Sequence, residues 1–192
     1  MPSAIIFNGP PGSGKDEAAN AICSVHANAT RLEFKSHLID LTTMIYGVNK
    51  DWFLSVHNQR EMKEQSMQAL RGLSTRQALI YVSEEVIKPK FGKDYFGRFV
   101  ADRMTKDLTY VFSDGGFVEE VAPVHEKCNG KFLIVHLHRD GCDWSNDSRS
   151  YIHSLPGVDD IHTIHMDNNG TKLDFMKSVV QLFDTQNKTW NP

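Results

Sequence analysis

The sequence predicts an α/β fold built on a five-stranded parallel sheet. Three observations carry that prediction. Short apolar runs alternate along the chain with segments of helical periodicity. A glycine-rich turn follows the first apolar run directly and leads into a helical segment. The length and composition are those of one domain: 192 residues, 40% hydrophobic and 23% charged. Such a chain can bury a core, and its composition excludes disorder, collagen and coiled coil.

The elements follow in order. The first strand is expected at residues 4–7, a helix at 14–27 and a second, short strand at 31–34. Ser36 can cap a helix running to Tyr46, with Gly47 as its stop. Residues 49–107 read as a long helical insertion. Within it, Ser74 and Gln77 have capping-box spacing, and Pro89 follows the apolar stripe Ala78, Tyr81, Val82, Val86. A further helix is expected at 95–106. The third strand is placed at 108–113 and the fourth at 132–137, with a helix between them ending near Gly130. The fifth strand is placed at 161–166. Thr171 and Asp174 suggest a capped last helix that buries Leu173, Met176, Val179, Val180 and Phe183, followed by a frayed tail at 186–192. No stretch reads as a linker, a repeat or low complexity, so residues 1–192 are read as a single domain.

Composition narrows the function classes. A formal charge of -3 argues against a protein that coats nucleic acid by bulk electrostatics, while leaving room for a local basic cleft. Cys23, Cys128 and Cys142 are odd in number, far apart and without a CxxC pair, so a disulfide framework or zinc site is not expected and a reducing, cytoplasmic setting is. The apolar runs are too short for a membrane helix, and the N-terminus lacks the basic and apolar regions of a secretory leader. The nine histidines form no HExxH and no third ligand at fixed spacing. His136 and His138 on strand four, and His162 and His165 near the end of strand five, read as strand-end packing or a polar rim.

The chemistry lies in Gly9-Pro10-Pro11-Gly12-Ser13-Gly14-Lys15-Asp16, which follows strand one and opens a helix. It matches GxxxxGK, with Asp where Ser or Thr usually stands. Glycines let successive N–H groups turn toward phosphate oxygens, and the helix N-terminus adds partial positive charge. Lys15 supplies a mobile cation for the β- and γ-phosphates. Asp16 can ligate Mg²⁺ directly or through water, or merely favour the first helical turn. Asp114, at the carboxyl end of strand three, lies at the edge where open α/β sheets bind ligands. It can hold Mg²⁺ through water, accept the proton of an attacking hydroxyl, or serve as a turn residue before Gly115 and Gly116, which leave room for substrate.

With its Gly14-Lys15-Asp16 ending, the chain resembles the phage deoxynucleoside monophosphate kinases of the thymidylate-kinase-like P-loop group, and the related phage kinases that phosphorylate 5-hydroxymethyluracil in DNA. The resemblance rests on residues 8–16, 72–97 (GLSTRQALIYVSEEVIKPKFGKDYFG), 111–114, 139–151 (RDGCDWSNDSRSY) and 167–171 (DNNGT). It implies a three-layer P-loop kinase sandwich, ATP and Mg²⁺, an acceptor-binding role for the insertion at 49–107, and a lid at 139–157. Arg139 and Arg149 would neutralise charge on the transferred phosphoryl; surface ion pairs with Asp140, Asp143 or Asp147 are the plainer alternative. Asn168, Asn169 and Gly170 would hold adenine, or form a simple turn. Arg76 and Lys35 would face the acceptor, and Tyr95, Phe96 or Trp52 would stack on a base; solvated charge and packing are the alternatives. A homodimer is a further expectation, as is the host cytoplasm if the chain is phage-encoded.

Three functions compete. A phosphotransferase would bind ATP at the phosphate loop while the insertion and lid close over the substrates and exclude water. Its acceptor is either the 5-hydroxymethyl group of 5-hydroxymethyluracil in DNA or the 5′-phosphate of a free deoxynucleoside monophosphate. The short chain leans toward the DNA base, since a reduced acceptor region suits a flipped base, and the charge leans mildly the other way. The third function is a non-catalytic NTP-binding module or NTPase switch.

Overall fold

The computed structural model describes residues 1–145, 147 and 149–191. Five strands form one sheet: β1 (Ser3–Asn8), β2 (Ala29–Arg31), β3 (Thr109–Phe112), β4 (Phe132–His138) and β5 (Thr163–Asp167). Their order is β2-β3-β1-β4-β5 and every pairing is parallel. Among the described residues, eight α-helices connect and flank them: α1 (Lys15–Val25), α2 (Phe34–Tyr46), α3 (Lys50–His57), α4 (Thr75–Tyr81), α5 (Lys88–Phe91), α6 (Tyr95–Ala101), α7 (Val118–Cys128) and α8 (Lys172–Trp190). The α/β fold with an all-parallel five-stranded sheet is the one the sequence predicts.

The central strands are buried on both faces, so they read as unbroken apolar runs and not as alternating ones. Ile5, Phe7, Val111, Leu133, Val135 and Leu137 pack against Ala18, Ala19 and Ile22 of α1 and Phe175, Val179 and Phe183 of α8. Such a sheet brings all five carboxyl ends to one edge. The turn after β1 and the segments after β3, β4 and β5 therefore gather there, although they are far apart in sequence.

The chain divides into two compact units, Met1–Glu33 with Gly97–Pro192, and Phe34–Phe96. The second is helical, with two cores. Ile39, Phe53, Leu70, Ala78 and Leu79 form one, and Val82, Ile87 and Phe96 the other. It takes in residues before 49, because α2 packs with α3 and α4, and it ends at Phe96.

Several elements differ from expectation. The second strand is Ala29–Arg31, and α2 begins at Phe34, ahead of the expected cap Ser36. The Ser74–Gln77 capping box forms as read. The helix does not stop before Pro89: a π segment, Val82–Ile87, widens the turn ahead of the proline, which lacks an N–H, and Lys88 N donates to Ser83 O. The last helix buries Phe175, Val179, Phe183, Gln186 and Trp190, while Leu173 is 60% exposed. Its end is not frayed, since Trp190 is buried and Lys131 Nζ donates to Asn191 Oδ1 at 2.9 Å.

Candidate nucleotide phosphate site

The phosphate loop joins β1 to α1. Gly12 and Gly14 adopt φ of 84° and 102°, a region that other residues enter only with strain. A Cβ on Gly14 would also lie 2.4 Å from Asn168 Nδ2. That amide donates to Ser13 O at 2.9 Å, and Asn168 N donates to His138 O at 2.8 Å, so the turn after β5 buttresses the phosphate loop. Gly14 caps α1 without any side-chain bond, leaving the helix N-terminus to an anion. Lys15 Nζ donates to Gly9 O at 2.6 Å and Pro10 O at 2.8 Å. Burial, and then the nearby Arg149 guanidinium, lower its pKa to about 8 against the opposing charges of Asp16 and Asp147. Ser13 lies inside the turn. Its side chain is buried, its Oγ has no hydrogen-bond partner among the described residues, and its N–H donates to Pro10 O at 3.2 Å.

Asp16 is not left facing solvent alone. Its Oδ1 accepts from Ser113 Oγ at 2.8 Å and from Arg31 Nη2. The same Arg31 nitrogen reaches Glu33 Oε1 at 2.6 Å and Ser113 Oγ at 2.7 Å, and Nη1 donates to Asn20 Oδ1 at 2.9 Å. Burial lowers the pKa of Arg31, and Glu33 and Asp16 more than offset it, so the net shift is upward. Neither Arg31 nor Ser113 stands out in the sequence. The available signal was the unusual Asp16 itself, a carboxylate that calls for a cation nearby.

The segment after β4 returns to the phosphate loop at several points. Arg139 Nη1 donates to Gly12 O at 3.1 Å. Arg149 forms a fork with Asp147, Nε to Oδ1 at 2.8 Å and Nη2 to Oδ2 at 2.6 Å. Those hydrogen bonds raise its pKa against the opposing effect of burial, with Asp114 and Glu120 adding to the rise. A Cβ on Gly116 would meet Arg149 Cδ at 2.3 Å, so the space at that glycine holds the arginine stem and not substrate. Asp114 is half-buried just past β3, within electrostatic range of Arg149. Asn169 exchanges two bonds with Asp140, accepting from its N–H at 2.8 Å and donating to Oδ1 at 3.2 Å. Asn168 Nδ2 and the Asn169 side-chain amide are thus bonded to protein groups.

Asn8, the last residue of β1, was missed by sequence reasoning. It is fully buried, donates to Gly115 O at 3.2 Å and Ser150 O at 3.4 Å, and accepts from Ile152 N at 2.9 Å. One amide thus ties the strand before the phosphate loop to the residues next to Asp114 and Arg149. Tyr151 adds an O–H donated to Leu137 O at 2.8 Å, and buried His136 contacts Ile152 O through Nε2 at 2.9 Å. The strand-end histidines do pack together: His138 and His165 rings stack at 5.2 Å, and His136 lies 5.1 Å from both His153 and His165.

In the Phe34–Phe96 unit, exposed Lys35 and half-buried Arg76 both act electrostatically on His57, together with Lys63 and Glu64. Burial and these cations hold the His57 pKa down. Arg76 also pairs with Glu64 at 3.3 Å. Tyr95 donates or accepts a bond with His37 Nε2 at 3.1 Å and packs on Phe91. Phe96 is a correction: it is 2% exposed and sits in the Val82–Ile87 core, which leaves no ring face for a base. Trp52 is partly buried against the Phe53 core.

Among the described residues, no group of three or more His, Cys, Asp or Glu could enclose a metal ion. Mg²⁺ does not require such a cage, since it takes one or two carboxylates, waters and substrate phosphates. Asp16 and Asp114 supply oxygen donors of that kind, so the residues present fit Mg²⁺ brought with a nucleotide.

No protein-family model matches the chain, and no curated protein matches it in sequence. Solved structures match it in fold. One is a protein assigned as a kinase from Chloroflexus aurantiacus j-10-fl, at 13% identity and TM-score 0.51, covering 96% of this chain and 98% of that one. A gluconokinase from Sinorhizobium meliloti 1021 aligns at 13% identity and TM-score 0.46, over 98% of this chain and 96% of that one. A sugar kinase from Janibacter sp. HTCC2649 aligns at 10% identity and TM-score 0.42, over 96% and 95%. At these identities the likeness is one of fold: an α/β protein with an all-parallel five-stranded sheet, order β2-β3-β1-β4-β5.

Proposed function

We propose that the chain is a P-loop kinase that moves the γ-phosphoryl of ATP onto a deoxynucleotide-type acceptor. The observation that carries this reading is the gathering of cations at one phosphate loop: Lys15 on the loop, Arg139 bonded to its Gly12 carbonyl, and Arg149 close enough to depress the Lys15 pKa. A switch needs a phosphate loop and a lysine. Two arginines brought back from the segment after β4 suit charge that develops on a transferring phosphoryl.

In the proposed reaction an acceptor oxygen attacks the γ-phosphorus in line. The bond from that phosphorus to the β–γ bridging oxygen breaks, and ADP leaves with the electron pair. The acceptor proton passes to Asp114 or to water. Lys15 and Arg139 orient the phosphates, and Arg149 balances their charge once it exchanges Asp147 for phosphate oxygens. Mg²⁺ bound through Asp16 and Asp114 would neutralise phosphate charge. Backbone groups of residues 168–170 would receive the adenine.

For the acceptor, the phage-kinase resemblance favours 5-hydroxymethyluracil in DNA, with a free deoxynucleoside monophosphate as the alternative. Lys35, Lys63 and Arg76 around His57 support either, because both carry phosphate. Tyr95 remains the candidate for stacking. The test supplies γ-labelled ATP with three acceptors: deoxynucleoside monophosphates, ordinary DNA, and DNA containing 5-hydroxymethyluracil. Label in the modified DNA alone supports the favoured acceptor. Label in free diphosphates overturns it in favour of the alternative.

A further inference from the structure

A carboxylate next to the phosphate-loop lysine poses an electrostatic problem. A bound triphosphate carries several negative charges, and Asp16 adds another at the first turn of α1. A bound Mg²⁺ would relieve that repulsion, but the residue must also hold its position without one. The structure contains a fixed counter-charge. Arg31, at the carboxyl end of β2, reaches Asp16 with Nη2, and the same nitrogen bonds Ser113 Oγ at 2.7 Å. Ser113 Oγ in turn donates to Asp16 Oδ1 at 2.8 Å. Glu33, at 2.6 Å, and Asn20, at 2.9 Å, hold the guanidinium from two further directions, and about three-quarters of its side chain is buried. The triad joins three carboxyl-end positions: α1 beside the phosphate loop, the end of β2, and the residue after β3.

We propose that Arg31 is a positioning residue of the phosphate site, which with Ser113 aims the Asp16 carboxylate and offsets the charge it places beside the nucleotide. This rests on the reading of the loop as a nucleotide site. In the usual motif a neutral hydroxyl stands at this position and needs no such partner. Here the exchange of hydroxyl for carboxylate is matched by an arginine from another strand. Arg31 touches no reacting atom in this account; it acts through Asp16.

The test measures metal-free ATP binding by calorimetry in EDTA at low salt, for wild type, Arg31→Ala, Asp16→Asn and the double variant, with a melting curve for each. Loss of the Arg31 counter-charge should weaken binding about tenfold in Arg31→Ala, the scale of one imperfectly screened charge contact near a surface. Asp16→Asn alone should bind at least as tightly as wild type. The double variant should recover to within a few-fold of wild type, because neutral Asn no longer needs a counter-charge. A purely structural Arg31 would not show that rescue, so a double variant as weak as Arg31→Ala overturns the proposal, as does an Arg31→Ala that binds like wild type. If wild type binds no nucleotide, the reading of the site fails. Where wild type does bind, the melting cycle tests the pair by itself: additive effects of Arg31→Ala and Asp16→Asn overturn the proposal while the reading of the site stands.

Discussion

Asn8→Ala removes a side chain that is fully buried and makes three hydrogen bonds to segments more than 100 residues away. The 2.9 Å bond from Ile152 N and the 3.2 Å bond to Gly115 O are the two that matter; the 3.4 Å contact to Ser150 O is long. A buried backbone group stripped of its partner costs roughly 1–3 kcal/mol. Two of them give an expected loss of about 2–6 kcal/mol, or roughly 4–24 °C in Tm for a domain of this size. Asn8→Asp is the sharper companion. It keeps the acceptor for Ile152 N but turns a carboxylate toward Gly115 O, so it should be no milder. Urea and thermal melts report the stability. Amide exchange at Ile152 reports whether the segment following Arg149 is released. If the reading of the site is right, turnover should fall as well, since Asp114 and Arg149 adjoin the released residues. A stability change below about 0.5 kcal/mol in Asn8→Ala, the range of ordinary surface substitutions, with unchanged exchange at Ile152, would refute the reasoning.

Two further outcomes follow from titrating groups. Lys15 has its pKa lowered to about 8, so the free protein begins to lose that charge near pH 8, whereas bound phosphates favour the ammonium. Metal-free nucleotide affinity should therefore fall as pH rises from 7 through 9, with proton uptake on binding visible by calorimetry in buffers of different ionisation enthalpy; a flat profile would contradict it. His136 is buried with Nδ1 lacking a partner among the described residues, and burial, against the opposing bond to Ile152, lowers its pKa from 6.5 to about 4. The unfolded chain then binds a proton between those values that the folded chain does not. Stability should thus decline as pH falls from about 6.5 toward 4, by about 3 kcal/mol at most, with His138, His153, His165 and Tyr151 the groups facing it. His136→Gln should flatten that part of the pH–stability curve.

What could be read from the sequence was what the sequence holds locally. The phosphate loop is contiguous, and apolar runs of strand length separated by helical segments gave the sheet its five strands. The capping box at Ser74–Gln77 and the N-cap at Thr171 are local patterns spanning four residues, and both form as expected. Boundaries failed where tertiary packing overrode local signals. Ser36 looked like a cap, but Phe34 is buried and starts the helix. Trp190 looked like part of a tail, but it fills a gap under the sheet core. The site was legible only as far as its motif. Arg31 and Ser113 are 82 residues apart, and Asn8 and Ile152 are 144 apart. No spacing rule connects them; the parallel sheet does, by delivering all strand ends to one edge. For Phe96 the sequence left stacking on a base and core packing both open, and its burial decides for packing.

The central claim is phosphoryl transfer, and it is tested most directly by the balance between ADP formed and phosphate transferred. With ATP, Mg²⁺ and a competent deoxynucleotide acceptor, the account predicts one labelled acceptor per ADP, little ADP without acceptor, and neither product from Lys15→Ala. Steady release of inorganic phosphate at the same rate with and without acceptor would contradict it and identify an NTPase switch instead.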